Sequence, residues 1–320
     1  LYLGKYSNKM GVEVTMNGWL FPGQASQQVG MGLDLKENSE KAKEYFERSN
    51  EIMQCDIQSI IFDGPEEKLK KTEYTQPAIY IVSVIIGYLL IDKGLKPDAL
   101  AGHSLGEYSA LAIGGAFDFS TGLKLVKVRS EGMAEAGKKE KGTMAAIVGL
   151  DDSTVEQVCS SYDGKGTVVA ANFNSPGQVV ISGSPDAIQW AMTTSKKAGA
   201  RMAVELNVSG AFHSPLMTPA RENLAEVINS LEISDSTFPV YTNVDAKPVT
   251  KNKEIKDSLI RQLESPVQWT KIIMAMKNNG MESFFEVGPG KVLQGLNKRI
   301  DRSIVSQGID SITKLEQLNV

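Results

Sequence analysis

The segment Gly102-His103-Ser104-Leu105-Gly106-Glu107 constrains this chain more than any other. The apolar run Ala99-Leu100-Ala101 leads into it after the breaker Pro97-Asp98, and a helix-forming stretch follows from Glu107. Strand, tight turn and helix is the setting that a G-x-S-x-G elbow requires. The serine is pushed out on a strained turn, and the glycines let neighbouring backbone pass where a Cβ would clash. The next amide, that of Leu105, starts the helix and points partial positive charge at the same space, which suits a developing oxyanion. Ser104 is therefore read as a nucleophile with half of an oxyanion hole attached. An ordinary Gly-Ser turn between strand and helix is the competing reading.

A serine nucleophile needs a base, and the chain has only 2 histidines, His103 and His213. His213 lies in Ser209-Gly210-Ala211-Phe212-His213-Ser214-Pro215, a loop before a predicted helix at 216–231. Taken alone, a buried structural histidine is its plainer reading. A lipase-like hydrolase would run serine, acid, then a histidine near the C-terminus. Here no aspartate stands in a persuasive turn before His213, so a neutral acceptor is expected to hold the base.

Two histidines leave no cluster for zinc, and Cys55 and Cys159 have no metal-binding spacing, so no metal is predicted and a reducing, cytoplasmic setting is expected. A net charge of -4 without a basic block argues against nucleic acid. The longest apolar run, 78–91, is broken by Ser83, Gly87 and Tyr88; it falls short of the ~20 residues of a membrane span and reads as a buried helix. No membrane partner is expected.

With 320 residues the chain can be a large α/β domain or a domain with an insertion. A strand at 18–21 stops at Pro22-Gly23, and Gln24 follows where ligands bind in open α/β sheets. Helices are predicted at 39–53, at 78–91 opened by Gln76-Pro77, and at 117–136, where Arg129 by itself reads as a solvated face residue. Strands at 143–150, 167–172, 178–182 and 201–206 and helices at 151–160 and 184–198 make a βαββαβ, ferredoxin-like unit with a loop at 173–177. A strand at 239–243, helices at 253–263 and 269–278, and a strand at 283–287 complete the α/β rhythm. The expected organisation is a catalytic domain from residues 17–139 and 208–320, with residues 140–207 inserted as one wall of the cleft. Residues 1–16 carry no pattern and are set aside as a leader, vector-derived or disordered.

Six blocks then carry a resemblance. Phe21-Pro22-Gly23-Gln24, the elbow, Asn174-Ser175-Pro176-Gly177-Gln178, Gly210-Ala211-Phe212-His213-Ser214, Gln262 before Ser265-Pro266-Val267-Gln268-Trp269, and Glu286-Val287-Gly288-Pro289-Gly290 occur in this order. Together they resemble the malonyl-CoA:acyl carrier protein transacylases. The resemblance implies an α/β-hydrolase-like core with a ferredoxin-like insertion, and malonyl transfer from a coenzyme A thioester to an acyl carrier protein in fatty acid synthesis, without a cofactor. It implies that Ser104 is acylated with His213 as base, and that the amides of Gln24 and Leu105 form the oxyanion hole. Arg129 would pair with the malonyl carboxylate, and Gln262 would hold the histidine through a neutral oxygen. Phe212 would limit space near the malonyl methylene, with His103 and Asn174 among the substrate-binding residues. Ala25 departs from the pattern, in which glycine is usual. A polyketide-serving acyltransferase shares every block; a serine esterase or thioesterase has no use for Arg129; a non-catalytic carrier-binding module has no use for an intact Ser104 and His213.

Overall fold

Trp19, Leu20 and Phe21 of strand β1 (Met16–Phe21) are completely buried, and that apolar run fixes the centre of the molecule. The structure, a computed structural model, describes residues 16–318. The leader expected at 1–16 lies outside them except for Met16, which opens β1. β1 runs parallel between β2 (Ala99–Gly102) and β9 (Met281–Val287). β7 (Val240–Tyr241) lies parallel beyond β2, β8 (Pro248–Val249) closes that edge antiparallel, and β10 (Val305–Ile309) lies parallel outside β9. Central strands of a parallel sheet are covered on both faces, which is why β1 reads as an unbroken hydrophobic run. Trp19, Phe21 and Leu100 face one core, while Leu20, Ala99 and Ala101 face the other.

The second sheet is antiparallel and lies within residues 143–205. Its strands are β3 (Thr143–Val148), β4 (Val168–Ser175), β5 (Gln178–Gly183) and β6 (Met202–Glu205), in the order β4-β5-β3-β6. Ala145, Ile147, Val179 and Ile181 pack with helices Asp152–Ser160 and Pro185–Lys197 into a core of their own, whereas Met144, Ala171 and Val180 join the large core. Two main-chain hydrogen bonds fasten β4 to the segment before helix Trp269–Asn278: Phe173 N to Val267 O at 2.9 Å and Val267 N to Ala171 O at 2.9 Å. The chain is thus a mixed α/β protein with a parallel sheet and a separate antiparallel one.

Several expectations are corrected. The helix expected at 78–91 runs from Thr72 to Asp92 with Pro77 inside it, because Thr72, Thr75 and Gln76 pack into the core and tertiary burial overrides the proline start signal. At 21 residues it is long and apolar enough to cross a membrane, contrary to the reading of a short run, but most of it is buried as the central core helix. The loop expected at 173–177 shrinks to Pro176-Gly177, with Gly177 at φ 72°, so Phe173 and Asn174 belong to β4. The helix expected at 216–231 is a 3-10 turn, Pro215–Met217, followed by Thr218–Ser230. β8, β10 and the short helix Ile312–Glu316 had no counterpart in the sequence reading.

Candidate active site

β2 ends at Gly102 and the elbow helix Gly106–Ile113 begins four residues on, so the chain must reverse within three residues. Both glycines are sterically required. A Cβ on Gly102 would lie 1.8 Å from the Gly106 carbonyl carbon, and one on Gly106 would lie 2.0 Å from Phe21 O. Ser104 takes the left-handed conformation, φ 51°, which costs about 1–2 kcal/mol for an L-residue and needs an external brace. Asn243, just past β7, is that brace: its Oδ1 accepts from Ser104 N at 2.6 Å, and its Nδ2 donates to Gly102 O at 2.6 Å.

Ser104 Oγ lies 2.8 Å from His213 Nε2. On the other side of the ring, His213 Nδ1 lies 2.9 Å from Gln262 O and 3.1 Å from Ser265 O. Carbonyl oxygens only accept, so Nδ1 carries the proton and Nε2 turns a lone pair to the serine. Main-chain carbonyls therefore occupy the place of an acid in the hydrogen-bond geometry. Burial, reinforced by the Arg129 charge, depresses His213 to about 3, so its imidazole is neutral.

Arg129 corrects the solvated-face reading, because it is 0% exposed on helix Phe119–Lys139. Its Nη2 donates to Ser104 Oγ at 3.0 Å and to Gln262 Oε1 at 3.0 Å, and its Nη1 donates to Gln76 Oε1 at 2.5 Å. These partners are neutral oxygens. The guanidinium lies over the Tyr108 ring at 5.4 Å. Burial lowers its pKa, and the neighbouring Tyr108 and Glu107 oppose that shift. A buried guanidinium among neutral acceptors is suited to receiving an anionic group beside the serine.

The loop after β1 presses against the elbow: His103 N donates to Phe21 O at 3.0 Å, and a Cβ on Gly23 would meet His103 O at 2.5 Å. Gln24 follows, its Nε2 donating to Thr72 Oγ1 at 3.4 Å, and Leu105 is buried at the start of the elbow helix. Ala25 is at φ 81°, the region glycine favours. His103 Nε2 lies 2.8 Å from Asn174 Oδ1, and its ring packs against Trp269 at 5.4 Å, so these two predicted residues pair with each other. Phe212 is buried in the large core cluster. Among the described residues, no group of three or more His, Cys, Asp or Glu could hold a metal ion.

Sequence reasoning missed Gln76, Glu107 and Asn243. Glu107 is the one charged residue in Gly106–Ile113 yet is 1% exposed, and Gln76 precedes a proline in an apolar helix. A polar residue stranded in an apolar helix is the signal that marked both.

The acyl transferase domain family model matches residues 18–314. The malonyl CoA-acyl carrier protein transacylase of Bacillus subtilis (strain 168) is 41% identical over 299 residues, 93% of this chain and 94% of that protein. That of Escherichia coli (strain K12) is 42% identical over 298 residues, 93% of this chain and 96% of that protein. The crystal structure of an acyl carrier protein S-malonyltransferase from Vibrio cholerae superposes with a TM-score of 0.92 at 42% identity, covering 95% of this chain and 100% of that one. A malonyl-transacylase in complex with its type II polyketide synthase acyl-carrier protein superposes with a TM-score of 0.91 at 38% identity, covering 94% and 98%. With Ser104 on its elbow, the His213 imidazole within hydrogen-bond distance of it and these similarities along nearly its whole length, the chain belongs to the malonyl-CoA:acyl carrier protein transacylase family.

Proposed function

We propose that the protein transfers the malonyl group of malonyl-CoA to the phosphopantetheine thiol of an acyl carrier protein, supplying fatty acid synthesis in the cytoplasm. His213 Nε2 takes the Ser104 proton as Oγ attacks the thioester carbonyl. The main-chain amides of Gln24 and Leu105 receive the oxyanion, because the Ser104 amide is already engaged by Asn243. Collapse breaks the C–S bond, and the departing coenzyme A thiolate takes the proton from His213. In the second half the carrier thiol gives its proton to His213 and attacks the acyl ester. The C–O bond then breaks, and Ser104 recovers the proton.

The observation that carries this reading is Arg129, a fully buried guanidinium donating to the nucleophile itself. It pairs with the malonyl carboxylate, and an esterase has no use for it. His103, Asn174 and Phe212 shape the acyl pocket, and the main-chain oxygen of Gln262 orients His213. The fold reads as an α/β-hydrolase-like core, 17–139 and 208–320, with 140–207 as a ferredoxin-like insertion; the β6-β3-β5-β4 order supports that description of the small sheet. The carrier docks beside the insertion on the exposed Lys196, Lys197 and Arg201, so reversing all three charges slows transfer to the carrier at low salt. A polyketide carrier is the second reading, favoured by the complex of a similar transacylase with such a partner.

The test is intact mass after incubation with malonyl-CoA. One malonyl group adds to the wild type and none to Ser104→Ala; labelling that persists in the alanine variant removes Ser104 as nucleophile.

A further inference from the structure

We propose that Glu107 is a positioning residue for malonyl recognition: through the side-chain amide of Gln262 it holds the Arg129 guanidinium against the nucleophile. The inference rests on the acyl-transfer reading above. A glutamine amide can face two ways, and only one of them offers its oxygen to Arg129. Glu107 selects it. The Glu107 carboxylate accepts from Gln262 Nε2 at 2.8 Å and from Asn243 N at 3.0 Å through Oε2, and from Ser258 Oγ at 3.2 Å through Oε1. A carboxylate offers only acceptors, so the amide nitrogen of Gln262 must face it, and Oε1 must face Arg129 Nη2. The same nitrogen also donates to Ser104 O at 3.0 Å, which ties the latch to the elbow.

The two hydrogens of Nη2 are then divided, one to Gln262 Oε1 and one to Ser104 Oγ, while Gln76 fixes Nη1. When Ser104 becomes an acyl ester its oxygen is a poorer acceptor, and that second hydrogen passes to the carboxylate of the acyl group. An inverted Gln262 amide would set donor against donor and free the guanidinium to swing away. Burying a carboxylate in an apolar helix is costly, and this one is retained where its acceptors orient the clamp. Asn243 adds a second route, since Glu107 holds its main chain while its side chain braces the elbow.

The test separates reach from charge. Glu107→Gln keeps an oxygen at the distance Gln262 and Asn243 need, and the Ser258 hydroxyl can turn to accept from the new amide. Glu107→Asp keeps the charge but withdraws it by one methylene. The readout is the ratio of Ser104 acylation rates with malonyl-CoA and acetyl-CoA, followed by intact mass beside the thermal midpoint. The expected ratio stays within about threefold of wild type in Glu107→Gln and falls about tenfold or more in Glu107→Asp, the scale of one lost hydrogen bond to a charged group. Gln262→Ala, which removes the link, lowers the ratio to the same extent, and Glu107→Asp adds nothing further to it. An unchanged ratio in Gln262→Ala overturns the proposal even if Glu107→Asp does not fold. So does a Glu107→Asp protein that keeps the ratio while its midpoint drops, a Glu107→Gln protein that loses as much as Glu107→Asp, or losses that multiply in the double variant. A wild type that malonyl-CoA fails to acylate overturns the acyl-transfer reading instead.

Discussion

The two sheets bury their cores in different company. Beside the parallel sheet, Arg129, Glu107, His213, Gln262 and Asn243 are all buried, and each bonds to at least one of the others or to the elbow backbone. The core of the antiparallel sheet is Ala145, Ile147, Val155, Val179, Ile181 and their neighbours, and among the described residues no charged side chain of 143–205 is buried. The same hydrophobic driving force builds both, and it produces chemistry in only one. Near the elbow, burial lifts Glu107 to about 6 and lowers His213 to about 3 among reciprocal partners. In the small sheet, burial with help from Glu156 pushes the Cys159 thiol up to about 12, and the result is an inert side chain. Burial alone shifts a pKa; a site needs donors and acceptors that fix one another.

The largest effect expected is on the base. His213→Ala slows Ser104 acylation by about 10²–10⁴, read by rapid-quench intact mass, and a rate within threefold of wild type would place the base elsewhere. Because His213 is neutral far below the ordinary histidine value of 6.5, the acylation profile of the free enzyme has no acidic limb at 6.5 from this residue. Its linkage to stability follows the same sign. Between about 3 and 6.5 the unfolded chain holds a proton that the folded one does not, so stability is complete above 6.5 and is lost as pH falls through that window. Glu107 runs the other way: its folded value, about 6, exceeds the ordinary 4.5, so its contribution declines as pH rises from 4.5 to 6. Urea midpoints of wild type and His213→Gln across this range check both signs, the variant keeping only the second.

The quiet region gives the next effect, on a different axis. Ile181→Ala costs about 2–5 kcal/mol of stability, while the folded protein keeps its Ser104 acylation rate within about twofold. A collapse of acylation in a folded Ile181→Ala protein would erase the distinction between the sheets. Arg129→Ala comes third, reducing the preference for malonyl over acetyl by about 10–10²-fold in a competition for Ser104. Arg129→Lys restores only part of it, because an ammonium lacks the two parallel N–H groups. Smallest is Ala25→Gly, which relieves a left-handed alanine and adds about 1 kcal/mol of stability, visible as a raised thermal midpoint.

How much of this was legible in the sequence depended on whether a signal was local. The elbow was legible because sterics of adjacent residues make it: Gly102, Ser104 and Gly106 carry their own reason. The βαββαβ run was legible from period and turn residues, with errors at element ends such as 173–177, where two-residue turn geometry won. Arg129 was legible only through the resemblance and not from its own helix, since Phe119–Lys139 is amphipathic and only tertiary packing decides which face meets the core. The braces were least legible of all. Asn243 reaches Ser104 across 139 positions and Glu107 reaches Gln262 across 155, and no local pattern encodes such pairings.

Gln262 divides its labour between main chain and side chain, and that has a consequence for how such enzymes diverge. The oxygen that orients His213 belongs to the peptide, so every amino acid at this position supplies it. The oxygen that steadies Arg129 belongs to the side chain, so only a few do. On the proposed reading, turnover and acyl choice are thus written in separable parts of one residue. A lineage can drift at this codon, loosening its taste for a carboxylate, without first dismantling the base.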